Sequence, residues 1–131
     1  MAITSAICNS FKVEILKAVH NFTASSGDTF NLALYTSSAT LNKSTTAYTT
    51  SNEVATATGY TAKGKAITSV TPVLSTDTAV CDFADISWTS ASFTTRGCLI
   101  FNETASGDPA VCAVDFGGDK TVSSGTFTIQ F

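Results

Sequence analysis

The residues that could carry catalytic chemistry are few, and they are scattered along the 131-residue chain. His20 is the only histidine, and no serine or cysteine motif accompanies it, so a nucleophilic triad has little support. Asp115, Phe116 and Gly117 copy a tripeptide of protein kinases, but the chain lacks the phosphate-binding loop, the lysine strand and the catalytic loop. These residues predict a protein that is not an enzyme.

Several acidic side chains could in principle bind calcium through oxygen ligands. They are Asp77, Asp82, Asp85, Asp115 and Asp119. Their spacing is not that of a calcium-binding loop, and turn formation explains them better. The sequence therefore predicts neither a metal nor another cofactor.

The cysteines are spaced too widely for a zinc site, since no two of them form a CxxC pair. We expect all four to be buried, reduced thiols that act as small apolar residues. They are Cys8, Cys81, Cys98 and Cys112. Cys98 and Cys112 lie on the two strands of a predicted hairpin, and in one register they would face each other. An oxidising setting could then join this pair in a disulfide.

Two apolar runs on either side of a polar loop predict the hairpin around which the other elements are arranged. Residues 98–101 and 110–116 are rich in small or β-branched apolar residues, which is typical of strands buried on at least one face. The second strand is predicted to end at Gly117 and Gly118, where the backbone has unusual freedom. Arg96, the only arginine, would pair with a carboxylate across the hairpin or on a partner.

The other elements follow from the spacing of apolar residues. Ile7, Phe11 and Ile15 recur every four residues, which predicts a helix over residues 4–21. This helix would pack across one sheet face or, alternatively, dock on a partner. Alternation predicts a strand over residues 29–35. Further strands are expected at residues 66–75, 78–83, 86–88 and 125–131, and Pro72 marks the first of these as an edge or bulged strand.

Residues 36–65 have a different character, because threonine, serine and alanine dominate and the larger residues are isolated. These larger residues include Tyr48, Val54 and Tyr60. No core face is predicted here, and long structureless stretches in compact domains are often functional. The segment would be an extended arm or long hairpin that orders against a neighbouring subunit, or a poorly ordered surface loop. Its tyrosines favour contact with a partner.

The whole chain is predicted to form one domain, residues 1–131. Its fold class is mainly β, an antiparallel β-sandwich of about seven or eight short strands with one N-terminal α-helix. Charged residues make up only 13% of the chain and hydrophobic residues 44%, so disorder is not expected, and the weakly charged surface suits an assembly. The net charge of −3 and the dispersed lysines argue against nucleic-acid binding. We see no signal peptide and no membrane-spanning segment.

Short motifs spread over nearly the whole chain carry a family resemblance. They are residues 48–54 (YTTSNEV), 58–61 (TGYT), 80–85 (VCDFAD) with Trp88, 95–102 (TRGCLIFN), 114–120 (VDFGGDK) and 127–131 (FTIQF). Together they resemble a group of small structural proteins of tailed bacteriophages. The resemblance implies a capsid decoration, or cement, protein that binds the outside of a shell of major capsid protein and stabilises it.

The resemblance also implies where the protein acts and with what. The chain would lie on the capsid surface of the virion after assembly in the host cytoplasm, as a homo-oligomer whose first expected form is a trimer. Its partner would be the major capsid protein, with no nucleic acid and no membrane. Residue character, and not the resemblance, makes six residues candidates for contact with partners: Phe11, Tyr48, Val54, Tyr60, Trp88 and Arg96.

Two alternatives remain open at this stage. The first is another place in the virion, as a component of the tail, the neck or a head fibre. The second belongs to another class of protein, a carbohydrate-binding module, because Tyr48, Tyr60 and Trp88 could stack on sugars.

Overall fold

The computed structural model describes residues 2–56 and 59–131, so that Met1, Ala57 and Thr58 lie outside the described residues. The elements are β1 (Ala6–Ile7), α1 (Asn9–Leu16), β2 (Phe30–Tyr35), β3 (Lys65–Ile67), β4 (Ser69–Ser75), β5 (Thr78–Phe83), β6 (Ile86–Asn102) and β7 (Ala110–Ile129). The predicted fold class is confirmed: the chain is mainly β, with antiparallel sheets and one N-terminal helix, in a sandwich-like arrangement.

The strands form one large sheet and one small one. The large sheet has five strands in the order β1-β7-β6-β2-β3, and β4 and β5 form a separate two-stranded sheet. Neighbouring strands pair in an antiparallel manner throughout both sheets. The predicted central hairpin is thus real, and β6 and β7 are the middle of the large sheet.

This central hairpin is much longer than predicted, because β7 does not end at Gly117 and Gly118 but continues to Ile129. Gly117 has a φ of 77°, and the register with β6 shifts between Thr95 and Gly97. A residue with positive φ inside a strand is typical of a β-bulge, which accommodates extra residues without ending the strand. The glycine pair therefore bends the strand instead of terminating it.

Buried side chains cover both faces of β2. Phe30, Leu32 and Leu34 belong to one core cluster, while Ala33 and Tyr35 belong to the cluster on the opposite face. The alternation predicted for residues 29–35 is confirmed, and both faces of the strand are covered, as expected of a strand inside a sandwich-like fold.

The helix is shorter than predicted, since α1 covers only Asn9–Leu16 and not residues 4–21. Before it, Ala6 and Ile7 pair with Ala113 and Cys112 of β7, so these residues extend the large sheet. After it, Ala18 has a φ of 60°, which breaks the helical path. The apolar spacing predicted a helix here and did not reveal that Ala6 and Ile7 pair with the edge of β7 instead.

The expectation that residues 36–65 contribute no core face is wrong in the part that the structure describes, although the segment is a long loop, as in one of its predicted forms. Ala39, Leu41, Val54 and Tyr60 are buried in the two core clusters, so the segment packs against its own chain. Glu53 holds it in place, accepting hydrogen bonds from the hydroxyls of Tyr48 (2.6 Å) and Tyr60 (2.7 Å) and from the backbone N–H of Lys63 (2.8 Å). The segment is a fixed cover of the core with little regular secondary structure.

Candidate protein-binding surface

The β4–β5 hairpin projects from the rest of the domain. Every residue from 70 to 82 is exposed, including Val73 (61%) and Leu74 (72%) near the tip. The hairpin is attached at its base, where Phe83 packs against Phe22, Phe30 and Phe131. A two-stranded hairpin is marginally stable by itself, so exposed apolar side chains on this element are a feature that calls for an explanation.

The helix beside this hairpin is also apolar on its outer side. No residue of α1 is fully buried, and Val13, Ile15 and Leu16 are exposed, Leu16 to 88%. Ile7, in β1, is exposed as well. A helix in a globular domain usually turns its apolar residues towards the core, whereas three of the four apolar side chains of α1 are exposed.

An apolar groove of ≈ 450 Å³ lies between the helix and the hairpin. Its lining residues are almost all hydrophobic: Ile7, Phe11, Ile15, Phe22, Pro72, Ala79, Val80, Cys81, Phe83, Ile100, Val111 and Cys112. We call α1 with Ile7, the β4–β5 hairpin and the groove between them the helix–hairpin surface. Contiguous exposed apolar surface of this kind marks interaction sites in soluble proteins.

The thiols in the groove are not activated. Cys81 is exposed and Cys112 is half-buried. Burial raises the pKa of the Cys112 thiol to about 11, so that this thiol is protonated at neutral pH. Burial also raises the pKa of Cys81, and the nearby carboxylate of Asp82 raises it further. Thiols with raised pKa values are poor nucleophiles, so the groove offers hydrophobic contact rather than cysteine chemistry.

The possible disulfide between Cys98 and Cys112 is not formed, because the strand register does not place the two cysteines opposite each other. Cys98 lies opposite Val114, and Cys112 lies opposite Ile100. All four cysteines are free thiols, as expected, but the expectation that all are buried is wrong for Cys81, which is exposed on β5.

Three of the predicted contact residues lie inside the molecule. Val54, Tyr60 and Trp88 are buried in the main core cluster, which corrects their placement on a partner-binding surface. Tyr60 accepts a hydrogen bond from the backbone N–H of Leu34 (2.9 Å), and Trp88 packs near Phe127. Val54 and Tyr60 stand out in the sequence as large residues among small ones because they anchor the segment 36–65 to the core.

The other three predicted contact residues have different positions. Phe11 lines the groove of the helix–hairpin surface. Tyr48 stacks on Phe101 while its hydroxyl binds Glu53. Arg96 reaches Asp115 across the hairpin (3.2 Å), as one of its two predicted pairings, and Asp119 at 3.5 Å.

The aromatic side chains proposed for sugar stacking do not form an open platform. Tyr60 and Trp88 are buried, and the ring of Tyr48 lies against Phe101. A sugar-binding platform needs exposed ring faces, so this arrangement does not favour the carbohydrate-binding alternative.

His20 sits in a buried polar cluster with a structural role. Its Nδ1 accepts a hydrogen bond from the side-chain amide of Asn102 (3.1 Å), which leaves Nε2–H to donate to Glu14 (3.3 Å). The same amide also donates to Asp28 (2.8 Å), and Phe11 lies over the imidazole ring. The cluster joins the end of α1 to the end of β6.

Sequence reasoning placed β5 correctly, but the single strand predicted over residues 66–75 is two strands, β3 in the large sheet and β4 in the hairpin, and the exposed apolar residues of the hairpin were missed. Val73, Leu74 and Val80 were read as ordinary strand residues. The only available signal was Pro72, which marked an edge or bulged strand, and the register of β4 and β5 does shift between Val70 and Val73.

Neither a metal-binding cluster nor a membrane-spanning helix occurs in residues 2–56 and 59–131. No group of three or more histidine, cysteine, aspartate or glutamate side chains is placed to hold a metal ion there. None of the helices in the same ranges has the length and hydrophobicity needed to cross a membrane.

Compared with protein-family models, with curated proteins and with solved structures, the chain gives no significant match. Its function is therefore argued from the helix–hairpin surface and from the motifs described above.

Proposed function

We propose that this chain is a virion structural protein, a capsid decoration protein that binds the outside of a shell of major capsid protein and stabilises it. The observation that carries the proposal is the helix–hairpin surface, an exposed apolar surface built on a projecting hairpin, because such a surface supports a role as one part of a larger assembly. The resemblance of the sequence motifs to small phage structural proteins supplies the biological setting.

The exposed apolar residues support a role in assembly. Leu16, Val73 and Leu74 have most of their surface in water, and each buried apolar side chain would contribute about 1.5–3 kcal/mol if a partner covered it fully. A partner would also support the hairpin, which its own chain holds mainly at the base. Burial of these side chains would therefore stabilise an assembly but cannot stabilise the free chain.

The composition of the surface supports the same role. Only 13% of residues are charged, so long-range repulsion between copies is weak. A decoration protein sums modest contacts over many sites on a shell, and interfaces of about 800 Å² per partner would be sufficient for each contact.

Copy number in purified virions tests the proposal. The amount of this chain, measured by quantitative mass spectrometry, is compared with the amount of the major capsid protein. We expect a ratio near one, which places the chain all over the shell. A ratio of a few per cent would overturn capsid decoration and favour the tail, neck or head-fibre alternative.

Shell stability tests the cement role itself. Shells assembled without this chain should lose their integrity at a lower temperature and under a smaller mechanical load than shells to which the purified chain has been added back. Shells with equal thermal and mechanical stability in both states would contradict the cement role, even if the copy number were high.

A further inference from the structure

The two elements that flank the apolar groove carry opposite charges. On the helix side, Lys12 and Lys17 are exposed, whereas Glu14, the one acidic residue of α1, is partly buried and accepts a hydrogen bond from His20. On the hairpin side, Asp77 and Asp82 are exposed, and no lysine or arginine occurs from residue 66 to residue 95. The helix–hairpin surface is therefore apolar in its centre, basic along the helix and acidic along the hairpin.

We infer that the helix–hairpin surface binds the same surface of a second copy of this chain, with the hairpin of each copy lying across α1 of the other. The inference deepens the proposed function. It rests on the helix–hairpin surface being an assembly contact, and it identifies a second copy of this chain as the partner that covers this surface.

With a two-fold axis, the helix and the hairpin of each copy both contact an element of opposite charge. The helix and the hairpin flank the same groove, so rotating one copy by half a turn places each acidic hairpin on a basic helix. The apolar centres then meet, and Leu74 and Leu16 both lose contact with water. A three-fold ring would need the two complementary elements on separate sides of the molecule, whereas here they are adjacent.

The charge pattern favours a second copy over an unrelated partner. A surface that is basic on one side and acidic on the other complements itself after a half-turn, and complementary charge gives an interface its specificity and orientation. A partner of a single charge sign would be attracted by one side of this surface and repelled by the other.

The first test is the mass of the isolated chain in solution as its concentration is raised, by light scattering and sedimentation. We expect wild-type protein to reach twice the 13.6 kDa chain mass. Leu74→Asn should raise the dissociation constant at least about tenfold. Thr126→Asn, at an exposed position of β7, is the matched control and should dimerise like wild type. A mass of one chain at every concentration up to about 1 mM, the range of very weak association, would overturn the inference.

The second test exchanges the charges and remains informative if a single variant behaves poorly. The variant Lys12→Glu/Lys17→Glu has two acidic sides and should be monomeric, and so should Asp77→Lys/Asp82→Lys, which has two basic sides. When the two variants are mixed, every helix meets a hairpin of opposite charge, and we expect dimerisation to return. Lys43→Glu/Lys120→Glu, which changes the same charge at other exposed positions, should dimerise like wild type. Failure of the mixture to dimerise, with both variants folded, would refute the two-fold arrangement.

The exposed thiol of Cys81 gives a third readout at the surface itself. Its alkylation by N-ethylmaleimide, followed by peptide mass spectrometry, should slow as the protein dimerises, because the hairpin becomes covered. In Leu74→Asn the alkylation rate should stay constant over the same concentrations. An unchanged rate in a wild-type dimer would place the dimer contact elsewhere and contradict the inference.

These outcomes separate the inference from the proposed function. A monomeric chain that is present at about one copy per capsid subunit would leave capsid decoration standing and remove the two-fold contact. A dimer that is nearly absent from virion shells would do the reverse.

Discussion

Regular strands usually carry the buried residues of a domain and irregular segments lie at its surface. Residues 36–65 and the β4–β5 hairpin show the opposite arrangement. The first segment has little regular secondary structure, yet Val54 and Tyr60 are buried and Glu53 ties the chain down through three hydrogen bonds. The hairpin is regular, yet every residue from 70 to 82 is exposed. Regular hydrogen bonding satisfies the backbone, but it does not by itself place side chains in a core.

The comparison shows which region owes its conformation to its own chain. The segment 36–65 is fixed by a few large anchors and by the partly buried carboxylate of Glu53. The hairpin has strand geometry and apolar side chains without a cover. We therefore expect mutations in the first region to change folding stability and mutations in the second to change association.

The largest effect should come from removing an anchor of the segment 36–65. Tyr60→Ala leaves a cavity beside Phe93 and Trp88 and takes away the hydrogen bonds of the hydroxyl, so we expect a loss of about 3–5 kcal/mol in the free energy of unfolding. Urea denaturation of the monomer measures it. A loss under about 1 kcal/mol would mean that this segment is not held by its anchors.

The next largest effect should come from the carboxylate of Glu53. Glu53→Gln keeps the shape of the side chain but removes the charge that two tyrosine hydroxyls and an N–H donate to, and should cost about 1–3 kcal/mol. Glu103→Gln is the control, because its ion pair with Lys63 is partly exposed and screened by solvent, so that a much smaller loss than in Glu53→Gln is expected. Equal losses in both variants would contradict a special role for Glu53.

Alkaline pH should weaken the same region. Burial raises the pKa of Tyr60 well above its usual value of 10.0, and the hydrogen bond to Glu53 raises it further. Above pH 10 the unfolded chain therefore releases a proton that the folded chain retains, so stability is complete below that pH and falls as the pH rises. Each such tyrosine should cost about 1.4 kcal/mol per pH unit above its unfolded pKa.

The tyrosine variant gives the control for this pH dependence. Tyr60→Phe has no proton to release at this position, so its free energy of unfolding, measured by urea denaturation between pH 8 and pH 11, should fall less steeply than that of wild type. Parallel curves for the two proteins would rule out Tyr60 as a source of the pH dependence.

The smallest effect on stability should come from the hairpin. Leu74→Ala changes an exposed side chain, and we expect the free energy of unfolding of the monomer to change by less than about 0.5 kcal/mol. Hydrogen exchange sharpens the contrast: the amides of β4 and β5 should exchange quickly in the monomer and become protected on association. A large loss of monomer stability in this variant would show that the hairpin already belongs to the core.

The parts of the fold that sequence could predict are those set by local pattern. The alternation of Phe30, Leu32 and Leu34 predicted β2 within one residue, and the run over residues 78–83 predicted β5 with the bounds that the structure has. These strands follow from side-chain periodicity, which is a property of a few neighbouring residues.

The parts that sequence did not predict depend on distant contacts. Ile7 carries a helical spacing, but its backbone pairs with Cys112 of β7, more than a hundred residues away in the chain. Gly117 predicts a strand end but lies in a bulge inside β7. The sequence does not distinguish the two, because a turn and a bulge can both require a positive φ. For the candidate site, Phe11 was predicted and does line the groove, whereas Leu74 was missed because exposure depends on tertiary packing.

The irregular pairing of the long β6–β7 ribbon has a consequence for growth into fibrils. β7 has 20 residues, and only Cys112 and Ala113 are covered by β1, so most of its outer edge is open. An open, flat edge of this length with little charge would template endless addition of strands. Four register shifts interrupt the ribbon between β6 and β7, and each one twists the edge away from a straight line. We therefore expect this edge to be a poor template for addition of further strands, even where copies of the chain are concentrated.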